Sequence, residues 1–394
     1  MNLNIKNLVL PISLGLVIGI SSCKKDKDND PDNSTTGIRT KIEYSKVTPG
    51  TPYKNLFVDS KGDTIVDLSS GNTKLKMFQA LNYYLGAAIR DSKSLDSMTM
   101  LNMFNNMNSA FYDVASLNII GSNLNASGIQ LRSITATSAG AKSEQERQRI
   151  ERLFGDMARL SQHFADTAIN GQPGRVGNYL ADAKGIEVAQ IIQKSLIGAT
   201  QLDYIGNVLL NTGLNADNST IIAGKPYTQL EQNWDEAYGF LTLNPIYLAG
   251  STDAAKGTTE YFLGSYIWEY NKQAYAQIYP AFLKGRVAIS NNDINEAKAQ
   301  ANFIRTSMEK SLAAAAVGYL NKWKTGTTEA ARIHAMGEGL GFIYSLRYCK
   351  VYGADDIFSE SVLSMLMDSP GGYWDLTNTK INNAIQAIST KFSL

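Results

Sequence analysis

Two stretches of this chain bring together side chains capable of chemistry at helical spacing. In the first, Glu187, Gln190, Lys194 and Gln201 fall within about 60° of one another at 100° per residue, while Ile186, Val188, Ile191, Ile192, Leu196, Ile197, Leu202 and Ile205 surround them with apolar positions. A helix apolar on nearly every side is expected to be central. A carboxylate and an ammonium on it then need partners, because buried charge is costly alone. The stripe reads either as an internal polar network or as one wall of a ligand or metal pocket. In the second stretch, His334, Glu338, Gly341 and Ser345 follow i, i+4, i+7, i+11 and so share one helix face. An imidazole and a carboxylate one turn apart can share a metal, or the acid can set the ring tautomer. Gly337, Gly339 and Gly341 in the same helix each cost roughly 1 kcal/mol relative to Ala, which points to close approach by another backbone or a ligand. A packing groove with His334 hydrogen-bonded inside it is the alternative. Arg347 lies on the apolar side and is expected to pair with a buried acid or join the ligand-binding set of Glu187, Gln190 and Lys194. The only other histidine, His163, with Asp166 at i+3, reads as a boundary residue.

Enzyme signatures are otherwise scarce. There is no His-Glu-x-x-His, no Gly-x-Ser-x-Gly and no phosphate loop. Ser307-Met308-Glu309-Lys310 and Lys324-Thr325-Gly326 match penicillin-binding motifs only superficially. A formal charge of +1 over 394 residues excludes a basic field for nucleic acid. Tyrosine is frequent at 20 and histidine nearly absent at 2.

These groups need elements to hold them, and the periodicity is helical almost throughout. Leu75, Phe78, Leu81, Leu85 and Ile89 form one stripe, and Ile150, Leu153, Met157, Leu160 and Phe164 another behind a capping box at Ser143 and Glu146. Ala183 to Leu210 reads as a long helix, and Thr228 with Glu231 caps a further one. More helices are expected near 259–276, 292–324, 328–350, 359–367 and 379–389, separated by loops at 121–142, 171–178, 211–226 and 249–258. Only 42–68 reads otherwise, as a short hairpin around Asp59-Ser60-Lys61-Gly62-Asp63. The expected fold is all-α, an antiparallel helical bundle over 42–394 with that N-terminal hairpin, in one domain or two halves meeting near 211–226.

The first residues read as a secretory signal. Lys6 precedes a short apolar run from Leu8 to Ile20, too short to span a bilayer. The run ends in Ile20-Ser21-Ser22-Cys23, which resembles the bacterial lipobox, with Cys23 as the lipidated thiol and residues 1–22 as signal peptide. Residues 23–41 are polar and charged, a tether too poor in apolar groups to fold, and its lysine–aspartate mixture resembles the surface-export tethers of Bacteroidetes lipoproteins. With Cys23 lipidated, only Cys349 remains, so no intramolecular disulfide can form.

Residues Lys184 to Ala199, Trp234 to Phe240 and His334 to Tyr348 resemble three ordered signatures of a Bacteroidetes lipoprotein family, the domain of unknown function catalogued as four-eight-five-six. That family is similar in character to the imelysins, helical envelope proteins linked to iron uptake. The resemblance implies two helical halves and a site near a Gly-x-His-x-x-Glu motif. This chain has Arg332 in place of the glycine, and its acid stands four residues after His334 instead of three. It implies an outer-membrane lipoprotein, periplasmic or surface-facing, anchored through Cys23 beside TonB-linked transport proteins. Its role would be to assist iron or haem acquisition by binding a metal, an iron complex or a partner protein, with iron or another divalent metal at His334 and Glu338. A scaffold role without a small ligand, or hydrolysis of peptide or glycan, are the alternatives.

Overall fold

The computed structural model describes residues 38–245 and 260–394, so the expected signal peptide, Cys23 and most of the expected tether lie outside the described residues, as does the expected loop at 249–258. Apolar residues at helical spacing produce helices almost wherever the pattern is sustained. The principal ones are α1 (Ser69–Arg90), α2 (Ser97–Asn105), α3 (Ser143–Leu160), α4 (Val188–Leu196), α5 (Gln229–Leu241), α6 (Leu263–Tyr270), α7 (Lys272–Ser290), α8 (Ile294–Thr325), α9 (Glu329–Ser345), α10 (Asp356–Met367) and α11 (Asn378–Phe392). The fold is an all-α bundle. Helix α8 runs through its middle, packed along α7 and α9, with α6 and α11 beside it. Helix α9 in turn lies against α4, and α1 lies against α5. Leu75, Phe78 and Leu81 of α1 are buried, as are Ile150, Phe154 and Met157 of α3. No helix among the described residues is long and apolar enough to cross a membrane.

Several local expectations are corrected. The chain from Ala183 is not yet helical: Gly174–Val176 (β1) and Tyr179–Ala181 (β2) form a two-stranded antiparallel ladder, and α4 begins only after Glu187. Beyond Leu196 the helix widens into a π-helix over Ile197–Leu209. π-Turns hydrogen-bond to i+5 and hold more residues than α-turns, so Gln201 is rotated away from the Glu187–Lys194 stripe. It instead donates to the Phe240 carbonyl at 2.9 Å and accepts from the Leu263 amide at 3.0 Å. The capping box at Ser143 does not form, because a 3-10 turn (Thr137–Lys142) runs straight into α3 and removes the free start that a cap serves. Ser143 donates to the Ala136 carbonyl at 2.7 Å instead. The box at Thr228 and Glu231 is present. The region expected as one helix near 259–276 breaks at Asn271, and α7 continues past Pro280 to Ser290. In the N-terminal segment the expected turn is closed by a single bridge, Val58 to Thr64.

Arg39, within the stretch expected to be an unfolded tether, is instead held against the bundle. Arg39 bonds both oxygens of Glu231, at 2.9 and 2.6 Å. Glu231 and Asp235 also take the fully buried Arg286 guanidinium, each at 3.0 Å. The Tyr53 hydroxyl donates to Asp235 at 2.8 Å, so the Trp234–Phe240 signature serves to tie the N-terminal segment to α5 and α7.

Candidate functional site

The close packing of α4 on α9 builds the site, and glycines permit it. A Cβ at Gly341 would stand 2.6 Å from the Lys194 Cβ, and one at Gly337 3.0 Å from that of Glu187. Further along, Gly198 makes room for Ser345, whose hydroxyl donates to the Lys194 carbonyl at 2.7 Å. Gly339 points elsewhere, to ordinary contact with Tyr319. The small residues of α9 at 337, 341 and 345 therefore set the polar stripe of α4 against the polar face of α9.

Five sequence-derived candidates meet there: Glu187, Gln190, Lys194, His334 and Glu338. The Lys194 ammonium is buried and makes three bonds, to Glu338 Oε1 at 2.8 Å, to Gln190 Oε1 at 2.6 Å and to Gln193 Oε1. An ammonium has three donors, so its hydrogen bonding is saturated. Burial works against its charge, but the Tyr266 and Glu338 oxygens outweigh it, and its proton is held more tightly than usual. His334 Nδ1 lies 2.8 Å from Glu187 Oε2, and Nε2 lies 3.6 Å from Glu338 Oε1, beyond hydrogen-bond range. Burial raises the proton affinity of Glu187, and the bond to His334 offsets part of that rise. The second oxygen of Glu338 is buried without a hydrogen bond.

Aromatic rings wall the cluster. Tyr179 stacks on His334, with centroids 4.2 Å apart and planes 8° apart. The Tyr266 ring centre lies 5.5 Å from the Lys194 nitrogen, and the ring meets Phe342 edge-on. Burial pushes the Tyr266 and Tyr319 phenols up; the Lys194 ammonium opposes the rise at Tyr266, and the Glu338 charge adds to it at both.

The cluster adjoins a cleft of about 470 Å³ between α1, the β1–β2 hairpin and the start of α4, whose wall includes Asn82, Arg175, Tyr179, Glu187, Gln190 and Gln193. Of these, Tyr179, Gln193, Asn82 and Arg175 were not anticipated. Gln193 lies next to Lys194 in the chain but off its stripe, and only the reach of the lysine joins them. The tyrosine count was the one compositional signal.

Arg347 belongs elsewhere, which corrects its grouping with Glu187 and Gln190. It pairs with Glu146 at 2.8 Å and Glu360 at 2.6 Å, stacked over Tyr344 at 3.8 Å. That places it in the 3-10 turn just past α9 (Leu346–Tyr348), facing α3 and α10, where the buried acid expected for it is Glu146. A larger groove of about 540 Å³ opens nearby, floored by Leu153, Ile191, Leu340, Leu363 and Met367. Its rim charges largely satisfy one another, Arg149 with Glu360, Arg159 with Asp156, and His163 with Asp166. It therefore offers few free polar groups, and the cleft beside His334 is the candidate site. The penicillin-binding resemblance also dissolves: Ser307 and Lys324 lie on one helix, 17 residues and so about 25 Å apart.

A bare metal ion does not fit this donor set. Glu187 engages one ring nitrogen, and the acid beside the other is paired with Lys194, whose charge repels a cation. Among the described residues no three His, Cys, Asp or Glu side chains are grouped to hold a metal.

A family model described as a domain of unknown function (DUF4856) matches residues 53–394. No curated protein and no solved structure matches the chain.

Proposed function

Because the chain belongs to the DUF4856 family, whose description assigns no activity, we propose from its own geometry that it is a non-enzymatic envelope lipoprotein that binds a small polar ligand in the cleft beside His334. The observation that carries this reading is the convergence of Glu187, Gln190, Lys194, His334 and Glu338 next to an open cleft. Small-molecule sites are concave, pre-formed and fixed by a few placed polar groups, and the Lys194 network holds the wall of this one rigid. The lipobox-like Ile20-Ser21-Ser22-Cys23 supports anchoring through Cys23, and the imelysin resemblance supports a place in iron or haem acquisition beside TonB-linked transporters. The donor set narrows that role to an iron complex or a partner protein in place of a directly ligated ion.

The test is titration of the detergent-solubilised full chain with ferric citrate and with haemin, followed by absorbance and tyrosine fluorescence, alongside metabolic palmitate labelling of wild type and Cys23→Ser. Saturable binding of one complex, weakened in Tyr179→Ala, and label lost in Cys23→Ser are expected. Absence of both kinds of binding, with expression unchanged under iron starvation, would refute the acquisition role. A scaffold role is favoured by one observation, the full satisfaction of Lys194. On that reading His334→Ala lowers stability and leaves ligand affinity untouched.

A further inference from the structure

The cleft has a polarity that follows from Lys194, and it selects a ligand class. An ammonium only donates, so the side-chain oxygens of Gln190 and Gln193 must both face it. Their amide nitrogens are thereby turned away from it. Gln193 Nε2 donates to Asn82 Oδ1, which fixes the Asn82 amide in turn. Gln190 Nε2 and Asn82 Nδ2 have no partner among the described residues, and both residues line the cleft. One buried cation thus aligns three amides and leaves donors at the cleft.

Two guanidinium groups join them. Arg90 and Arg175 both line the cleft, with the Arg90 Nε bonded to Asp91 at 3.2 Å. Arg175 is braced by the Ile89 carbonyl at 2.9 Å and the Ser92 hydroxyl at 2.6 Å, and rests over Phe164. Ala189, in the first turn of α4, lines the same wall, and that turn has no side-chain cap. The helix runs on through Leu209, so its positive end adds to the same field. The wall holds one carboxylate, Glu187, only 3 % exposed and engaged by His334. With Asp91 offsetting part of the Arg90 charge, Arg175 supplies most of the positive charge, and hydrogen-bond donors outnumber the one carboxylate.

We propose that the cleft binds a small polycarboxylate, its oxygens taken by Gln190, Asn82 and the two arginines. This rests on the cleft being a small-ligand site and names the chemistry that the site selects.

Gly86 gives a clean probe. It lies inside α1 on the cleft wall, and a Cβ there meets nothing within 4 Å, so Gly86→Trp obstructs the cleft without disturbing the Lys194 network. Gln190→Glu keeps an oxygen for Lys194 and replaces the cleft donor with negative charge. The detergent-solubilised full chain is titrated calorimetrically with citrate and, as a neutral polyol, with maltose. Far-UV circular dichroism confirms that the variants fold. Citrate binding that falls at least tenfold in each variant, with maltose silent, is expected. No citrate binding, citrate affinity unchanged in either variant, or maltose binding as tight as citrate overturns the proposal. Ferric citrate, run in parallel, separates the two readings. If citrate binds while neither ferric citrate nor haemin does and expression is unchanged under iron starvation, the iron role falls and the carboxylate assignment stands. If only maltose binds and Gly86→Trp abolishes it, the cleft remains a ligand site and the carboxylate class is refuted.

Discussion

Replacing Lys194 with Met removes the ammonium while keeping a long apolar stem in the gap that Gly341 opens. The Glu338 carboxylate then loses its 2.8 Å partner in a place where only 6 % of the residue is exposed, and its second oxygen already has no bond. Breaking one side of a buried pair typically costs about 3–5 kcal/mol, mostly from the stranded charge. The Gln190 and Gln193 oxygens lose a donor too, but both residues are only half-buried and water can replace it. The expected cost of Lys194→Met is therefore set by Glu338 and is about 3 kcal/mol or more. Glu338→Gln strands the ammonium in the opposite sense. The double variant strands neither charge, so its loss should be smaller than the sum of the single losses by about 2 kcal/mol or more. Urea unfolding, compared at constant slope, measures all three. Single losses under about 1 kcal/mol, or additive losses, would show that water from the adjacent cleft already screens the pair, and the buried-network reasoning would fail.

Four further substitutions have expected outcomes from packing, titration and capping. Gly341→Ala should destabilise by about 1–3 kcal/mol, since its Cβ collides with Lys194. Gly339→Ala, with only ordinary contacts at 3.5 Å or more, should be neutral or gain up to about 1 kcal/mol from helix propensity; thermal melts of the pair check both. Burial raises the Glu309 carboxyl to about 7, although the Val351 and Tyr352 amides donate to it. A carboxyl raised on folding contributes most stability below its ordinary range and loses it as pH rises through 7. Wild type should therefore lose on the order of 3 kcal/mol more than Glu309→Gln between pH 4.5 and 8, as read by urea midpoints across that range. Thr228→Ala, which deletes the capping box holding Glu231, should cost about 1 kcal/mol by the same assay.

The sequence by itself determined the bundle and the two polar helix faces that meet beside the cleft, but not most of the cleft wall. Apolar spacing placed the helices, and i, i+4 arithmetic put His334 and Glu338 on one face and Glu187, Gln190 and Lys194 on another. The glycines of α9 announced a close approach, though not that Gly337 and Gly341 make it while Gly339 does not. Periodicity assumes one winding angle and one helix at a time. It could not show the π-turns that carry Gln201 off its stripe, nor the 3-10 turn that disables the Ser143 cap. Nor could it place Arg347 with Glu146 and Glu360, because a residue's partner belongs to whichever helix packs opposite. Only the tertiary structure decided that α4 faces α9. That juxtaposition made Lys194 the counter-ion of Glu338, gave Glu187 to His334, and turned a row of amides toward one cleft. Side-chain spacing specifies a face, but long-range packing chooses what the face meets.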